Sequence, residues 1–270
     1  MKLGIGTYAY SWSIGLPGAM PGHPMTALGL LNKARELGVK VVQYGPNLPL
    51  THLPEAELNE IAEKAKGWGI EIELGARGVE TDHLRQYVVL AQKMGATLLR
   101  AVPEGSGGKS LLLTDVSTYL GAILPDLSAT GVRLALENGR IPAQRLSELL
   151  DSLGSPLVGV TLDTANSLAL PEGWEYVTRI LARHAMCLHI NDFVVQRAWH
   201  MMGFTVEGRP AGKGQLNIPW LLYTLQAARV SPNAILELWP LQQKSLEETV
   251  ALEQAWAVES ISYLRRYIPD

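Results

Sequence analysis

Four side chains that can bind a metal ion follow short apolar runs, where the sequence predicts the ends of four successive strands. They are Glu137, Asp163, His189 and Glu237. Because side chains alternate between the two faces of a strand, and each of the four follows an apolar neighbour, each is expected to point into the interior of a closed sheet. Three carboxylates gathered there are costly to bury without a cation. We therefore predict that the four residues bind one divalent metal ion.

Each of these residues also has an ordinary explanation when taken alone. A glutamate at a strand end is most often a surface group, and a histidine in an apolar strand is most often a hydrogen-bonded core residue. Their occurrence on four consecutive strands favours the metal. Carboxylates with one imidazole suit Mn²⁺ or Mg²⁺, with Co²⁺, Fe²⁺ and Zn²⁺ as alternatives. Coordination positions left open would accept two oxygens of a substrate.

Short apolar segments alternate with longer amphipathic segments along the whole chain. The predicted strands are Lys2–Tyr10, Val39–Tyr44, Ile70–Gly75, Thr97–Val102, Val132–Glu137, Val158–Asp163, Met186–Ile190 and Ala234–Trp239. The predicted helices are Thr26–Leu37, Pro54–Trp68, Thr81–Met94, Asp115–Ala129, Pro142–Leu153, Trp174–His184, Ile218–Ala228 and Leu246–Tyr267. A break or kink is expected at Pro125 because proline lacks the backbone N–H that a helix needs.

Strict alternation of strands and helices predicts a parallel sheet covered by helices. Eight such units in 270 residues are typical of the α/β class, as a single (β/α)₈ TIM barrel over residues 1–270. The alternative, an open doubly wound sheet, usually has a glycine-rich G-x-G-x-x-G turn after its first strand. That motif is absent after Tyr10, which favours the closed barrel.

Composition excludes several classes of protein. Apolar residues make up 47% of the chain, enough for a full core. The net charge of −3 counts against a nucleic-acid partner. No apolar run is long enough for a membrane span, and no signal-peptide pattern is present, so a cytoplasmic enzyme without a membrane partner is expected. The single cysteine, Cys187, is expected to be a buried strand thiol.

The set Glu137, Asp163, His189 and Glu237, together with Gly212-Lys213-Gly214, resembles the xylose-isomerase-like family of sugar isomerases and epimerases. The resemblance extends over essentially the whole chain. It implies a (β/α)₈ barrel in which the four residues bind the metal. It further implies that Glu137 and Glu237 form the acid/base pair of an epimerase, acting through a metal-bound enediolate of a small ketose or keto-sugar.

Three positions depart from the pattern of the common epimerases in that family. Asn166 stands where a histidine is usual, Asn191 where a lysine is usual and Val195 where an arginine is often found. The segment Phe193–Gly212 is longer than an ordinary βα loop, so we expect it to cover the barrel mouth as a lid. Within it, the run from His200 to Pro210 resembles the subgroup that contains the 3-oxo-isoapionate decarboxylases.

Several polar residues near predicted strand ends, or in the long segment, are candidates for binding substrate. They are Tyr8, Arg77, Arg100, Asn138, Asn166, Arg197, His200 and Arg209. The arginines would bind a substrate carboxylate, the asparagines would bind hydroxyls and Tyr8 would form a wall. Any one of the arginines alone is more often a solvated loop residue.

The leading hypothesis is therefore a divalent-metal-dependent sugar isomerase or epimerase. The alternative is a metal-dependent lyase that decarboxylates a keto-sugar acid, as the 3-oxo-isoapionate decarboxylases do. An endonuclease-type barrel is disfavoured because six histidines supply few additional ligands at strand ends. A metal-free binding protein is a further alternative. The expected partner is a small carbohydrate or keto-sugar acid, and a homo-oligomer is compatible with the sequence.

Overall fold

A computed structural model describes residues 1–269, and within them eight parallel strands close into a barrel. The barrel strands are β1 (Leu3–Gly6), β2 (Val41–Tyr44), β3 (Glu71–Arg77), β4 (Leu98–Val102), β5 (Arg133–Glu137), β6 (Val158–Asp163), β7 (Ala185–Ile190) and β10 (Asn233–Leu236). The first and last of these, β1 and β10, pair in parallel and complete the ring. The predicted (β/α)₈ barrel is confirmed.

Helices cover the outer face of the sheet. They are α1 (Ser11–Ile14), α2 (Ala27–Leu37), α3 (Glu55–Trp68), α4 (Thr81–Met94), α5 (Leu113–Thr130), α6 (Ala143–Leu153), α7 (Trp174–Leu181), α8 (Ile218–Ala227) and α9 (Leu246–Leu264). The side chain of Thr26 accepts a hydrogen bond at the start of α2, and Gly38 ends that helix with φ of 69°. No helix within residues 1–269 combines the length and the apolar character needed to cross a bilayer.

The break expected at Pro125 does not occur. Helix α5 continues past Pro125 to Thr130, and Leu127 in its last turn is fully buried. Burial of this turn against the barrel offsets the hydrogen bond that proline cannot donate.

The first and last predicted strands are shorter in the structure than the sequence predicts. Beyond β1 the chain turns into a 3₁₀ helix over Thr7–Tyr10, and β10 ends at Leu236. The backbone N–H of Leu238 still donates to the Tyr8 carbonyl at 3.2 Å. Glu237 and Tyr8 therefore lie at the rim, where β1 and β10 meet.

Two layers of apolar residues hold the strands in place. The larger lies between the sheet and the helices. The smaller fills the barrel interior and consists of Val41, Leu98, Ala135, Cys187 and Ile235. Cys187 is a buried free thiol, as expected.

The segment after β7 forms an antiparallel hairpin of β8 (Asp192–Arg197) and β9 (Phe204–Arg209), which the sequence did not predict. The carboxylate of Asp192 closes its base by accepting the backbone N–H groups of Gly212 and Gly214 at 2.8 and 2.9 Å. It also accepts those of Phe193 and Leu216 at 2.8 and 3.0 Å. A Cβ atom at Gly214 would lie 2.2 Å from Asp192 Oδ1, so only glycine fits there.

Candidate metal centre

The four predicted ligands converge at the carboxyl ends of β5, β6, β7 and β10. The Nδ1 atom of His189 lies 3.4 Å from Asp163 Oδ2, 3.8 Å from Glu137 Oε1 and 3.3 Å from Glu237 Oε1. All four side chains are buried. Three carboxylates therefore surround one imidazole nitrogen at the base of the barrel mouth.

The chemistry of these side chains fits a divalent cation. Ligand atoms of Glu137, Asp163 and His189 lie within 4.8 Å of one another, a spacing compatible with one ion at the centre. Nδ1 of His189 is buried and makes no hydrogen bond that meets the usual geometry within residues 1–269. On the other side of the ring, Nε2 lies 2.8 Å from the carbonyl oxygen of Gln43. Because that oxygen only accepts, Nε2 carries a proton, and Nδ1 is the ring nitrogen left to bind a metal ion.

Burial and mutual charge shift the protonation of the cluster. Burial raises the pKa of Glu137 to about 7, although the positive charge of Arg100 opposes this shift. Burial also raises the pKa of Glu237, and His189 opposes that shift. Burial alone would lower the pKa of His189, but the charge of Glu237 and its other neighbours raises it well above the usual value. The cluster thus holds protons that a divalent ion would replace.

Asparagine side chains orient the carboxylates. Asn138 pairs with the backbone of Asp163: its Oδ1 accepts from the N–H at 2.6 Å and its Nδ2 donates to the carbonyl at 3.0 Å. Asn166 Nδ2 donates to Glu137 Oε1 at 2.6 Å. Asn191 Nδ2 donates to Asp163 Oδ2 at 3.0 Å and Glu237 Oε2 at 3.4 Å. Sequence analysis assigned Asn191 no such role, since it appeared only as a replaced lysine.

Three arginines surround the mouth above the cluster, and we call Arg77, Arg100 and Arg140 the arginine rim. Arg100 is buried and forms an ion pair with Glu137. Its guanidinium carbon also lies 5.8 Å from the centre of the Tyr8 ring.

The other two rim arginines share one carboxylate. Arg77 Nε lies 2.7 Å from Glu104 Oε1, and Arg140 Nη2 lies 2.8 Å from Glu104 Oε2. Glu104 is buried, whereas both arginine side chains are about half exposed. Sequence analysis missed Arg140 and Glu104, and the only signal was their position a few residues after predicted strands.

The rim and the cluster enclose a cavity of about 560 Å³. Of the predicted substrate-binding residues, Tyr8, Arg77, Arg100, Asn138 and Asn166 line it, together with Trp239. Its size suits a small polar molecule.

The predicted residues on the hairpin do not reach this cavity in the structure. Arg197 stacks on Phe204 at 4.7 Å, and Arg209 Nη2 pairs with Glu207 Oε2 at 2.9 Å. His200 is exposed and its Nδ1 accepts from the Met202 N–H at 3.2 Å. The hairpin tip therefore forms no lid here.

Comparison with known proteins identifies the family. The sequence model described as Xylose isomerase-like TIM barrel matches residues 31–267. The chain belongs to this family.

One relative matches nearly end to end. The 3-oxo-isoapionate decarboxylase of Pectobacterium atrosepticum is 31% identical over 265 residues, which cover 98% of this chain and 95% of that protein.

Solved structures share the fold at low identity. D-psicose 3-epimerase, crystallised in the presence of D-fructose, superposes with a TM-score of 0.74 at 14% identity and full coverage of both chains. A xylose isomerase-like TIM-barrel protein of Mycobacterium smegmatis in complex with magnesium gives 0.71 at 12% identity, with 97% of each chain covered.

Proposed function

We propose that this protein is a divalent-metal-dependent decarboxylase of a small keto-sugar acid. The observation that carries the proposal is the arginine rim above the carboxylate cluster. Three carboxylates, those of Glu137, Asp163 and Glu237, line the cavity, and a fourth, that of Glu104, pairs with two of the rim arginines. The three rim arginines and one divalent ion would outweigh their charge. A cavity of that kind attracts an anion, and a neutral ketose has no need of it.

The two half-exposed arginines are suited to receive the substrate carboxylate. Arg77 and Arg140 both contact Glu104, which holds them in place, and their half-exposed guanidinium groups keep further N–H donors for an incoming carboxylate. Arg100 is buried and remains on Glu137. This division orients the carboxylate at the rim and the ketone towards the cluster.

Decarboxylation breaks the bond between the carboxylate carbon and the neighbouring carbon. The electron pair passes towards the ketone, and CO₂ leaves. A divalent ion bound by Glu137, Asp163, His189 and Glu237 would supply a Lewis acid for the negative charge that develops. The carbon then needs one proton from the enzyme.

Glu237 is the better placed donor of that proton. Arg100 and Asn166 both contact Glu137 and favour its ionised form. Glu237 forms no ion pair with an arginine within residues 1–269, so no guanidinium competes for its carboxyl group, and it lines the cavity just after β10.

The second candidate is the isomerase or epimerase that the sequence favoured. The observation in its support is that Glu137 and Glu237 both line the cavity, as a pair of bases on the two faces of a ketose would require. The ion pair of Glu137 with Arg100 weighs against two freely exchanging bases.

Product analysis in D₂O distinguishes the two reactions. The purified protein with Mn²⁺ would be incubated with a panel of 3-keto-sugar acids and neutral ketoses. We expect Mn²⁺-dependent CO₂ release from at least one acid and no deuterium uptake by the ketoses. Deuterium uptake by a ketose without CO₂ release from any acid would replace our proposal with the epimerase.

A further inference from the structure

A chain of buried polar side chains lies inside the barrel behind His189, on the side away from the other three ligands. His189 Nε2 lies 2.8 Å from Gln43 Oε1, and Gln43 Nε2 donates to Glu73 Oε2 at 3.0 Å. Asn233 Nδ2 donates to the second oxygen of Glu73 at 3.0 Å. Gln43 and Glu73 occupy directly paired positions on β2 and β3, so both side chains point to the same face of the sheet.

The hydrogen bonds from His189 through Gln43 to Glu73 all run in one direction, from donor to acceptor. An ionised carboxylate only accepts hydrogen bonds, and both oxygens of Glu73 receive an amide N–H. The amide of Gln43 is therefore fixed with its NH₂ group towards Glu73 and its oxygen towards His189. That oxygen in turn requires a proton on Nε2 of His189, so Nδ1 is the ring nitrogen left to bind a metal ion.

Packing alone does not account for Glu73. Its side chain is 3% exposed, and no ion pair within residues 1–269 involves it. It lies beside the apolar residues that fill the barrel interior, with Cys187 Sγ 3.4 Å from Gln43 Nε2. An apolar residue would fill this place without the cost of burying a carboxylate.

We propose that Glu73 and Gln43 are positioning residues of the metal centre, which set the tautomer and the ring orientation of His189. This inference rests on the metal site of the proposed function. Neither residue touches the ion or the substrate cavity. Both act through the ring of His189, as hydrogen-bond partners behind a metal-binding histidine do.

Exchanging the two side chains tests the direction of the chain. Mn²⁺ affinity would be measured by titration calorimetry on wild type, Glu73→Gln, Gln43→Glu and the double variant. In Glu73→Gln the amide at position 43 is free to turn its NH₂ group to His189, and we expect about 10- to 100-fold weaker binding. Gln43→Glu places two carboxylates side by side, and a similar loss is expected.

The double variant restores a carboxylate that accepts from His189 and an amide that donates to it. We expect its affinity to return to within about threefold of wild type, as a coupled pair should.

The matched control is Cys187→Ala. The thiol contacts both Gln43 and Glu73 but does not set the direction of the chain, so wild-type affinity is expected. If Glu73→Gln fails to fold, Gln43→Met decides, because it removes the acceptor for Nε2 at nearly constant volume.

Wild-type Mn²⁺ affinity in Glu73→Gln or Gln43→Met would overturn the inference. A double variant no better than the single variants would show that the two positions matter only for packing. A wild-type protein that binds no Mn²⁺ would instead overturn the proposed metal centre.

Discussion

Arginines of the barrel mouth and of the hairpin were predicted to bind a substrate carboxylate, but the two groups lie in different surroundings. Arg77 and Arg100 belong to barrel strands and line the cavity, and their partners are Glu104 and Glu137. Within residues 1–269, the polar and ring contacts of Arg197 and Arg209 are with Phe204, Glu207 and backbone carbonyls of their own hairpin. The side chain of a residue on a barrel strand points in a direction that the neighbouring strands fix. The side chain of a hairpin residue points in a direction that the hairpin alone fixes.

The largest effect is expected at the metal cluster, because the proposed reaction depends on the ion that it would bind. Asp163→Asn removes one negative ligand charge while keeping the side chain's size. We expect activity to fall by at least about 1,000-fold, equivalent to about 4 kcal/mol of transition-state stabilisation. Chelation of the wild type should abolish activity, and added Mn²⁺ should restore the wild type but not the variant. Full activity after exhaustive chelation would contradict the metal centre.

Arg140→Leu should lower kcat/KM for the keto acid by about 30- to 1,000-fold, because it removes a charged contact with the substrate carboxylate. Arg140→Lys keeps the charge but not the planar guanidinium and should lose less. Steady-state kinetics measure both variants. An unchanged kcat/KM in Arg140→Leu would show that the arginine rim does not bind the substrate carboxylate.

Arg197→Leu is the matched substitution on the hairpin. Its side chain faces Phe204 and the Met201 carbonyl, so we expect kcat/KM to change by less than about twofold, as for most surface substitutions. A loss comparable with that of Arg140→Leu would break the comparison. The hairpin would then have to reach the substrate in another arrangement.

The smallest effect concerns stability at acid pH. The hydrogen bond and charge of Arg77, together with Arg140, lower the pKa of Glu104. A carboxyl whose pKa is lower in the folded state stabilises the fold above its unfolded value near 4.3, and this contribution is lost as pH falls through the folded pKa. Glu104→Gln should therefore lower Tm by about 2–4 °C at pH 7, and the difference should shrink towards pH 3. A pH-independent difference in Tm would show that the ion pairs are not its source.

Sequence patterns located those residues whose direction follows from strand periodicity. The ends of β5, β6 and β7 were predicted to the residue, and with them Glu137, Asp163 and His189. Tyr8, Arg77, Arg100, Asn138 and Asn166 also line the cavity, although their roles remain proposals.

The remaining features depend on contacts between distant segments. Glu104 and Arg140 come together only because β4 and β5 are neighbours in the ring. The contact between Gln43 and Glu73 depends on the register of β2 with β3, and spacing along the chain does not predict that register. The predicted break at Pro125 was wrong, because burial of the last turn of α5 depends on the tertiary structure.

The closed base of the hairpin has a consequence for how this protein can change. One carboxylate, Asp192, binds the start of the segment to the backbone of Gly212, Gly214 and Leu216 at its far end. Everything between these points leaves and re-enters the barrel at a fixed place, so its length and sequence can vary without altering the strands. Evolution or an engineer can therefore exchange the hairpin as a separate module while the carboxylate cluster of the barrel stays unchanged.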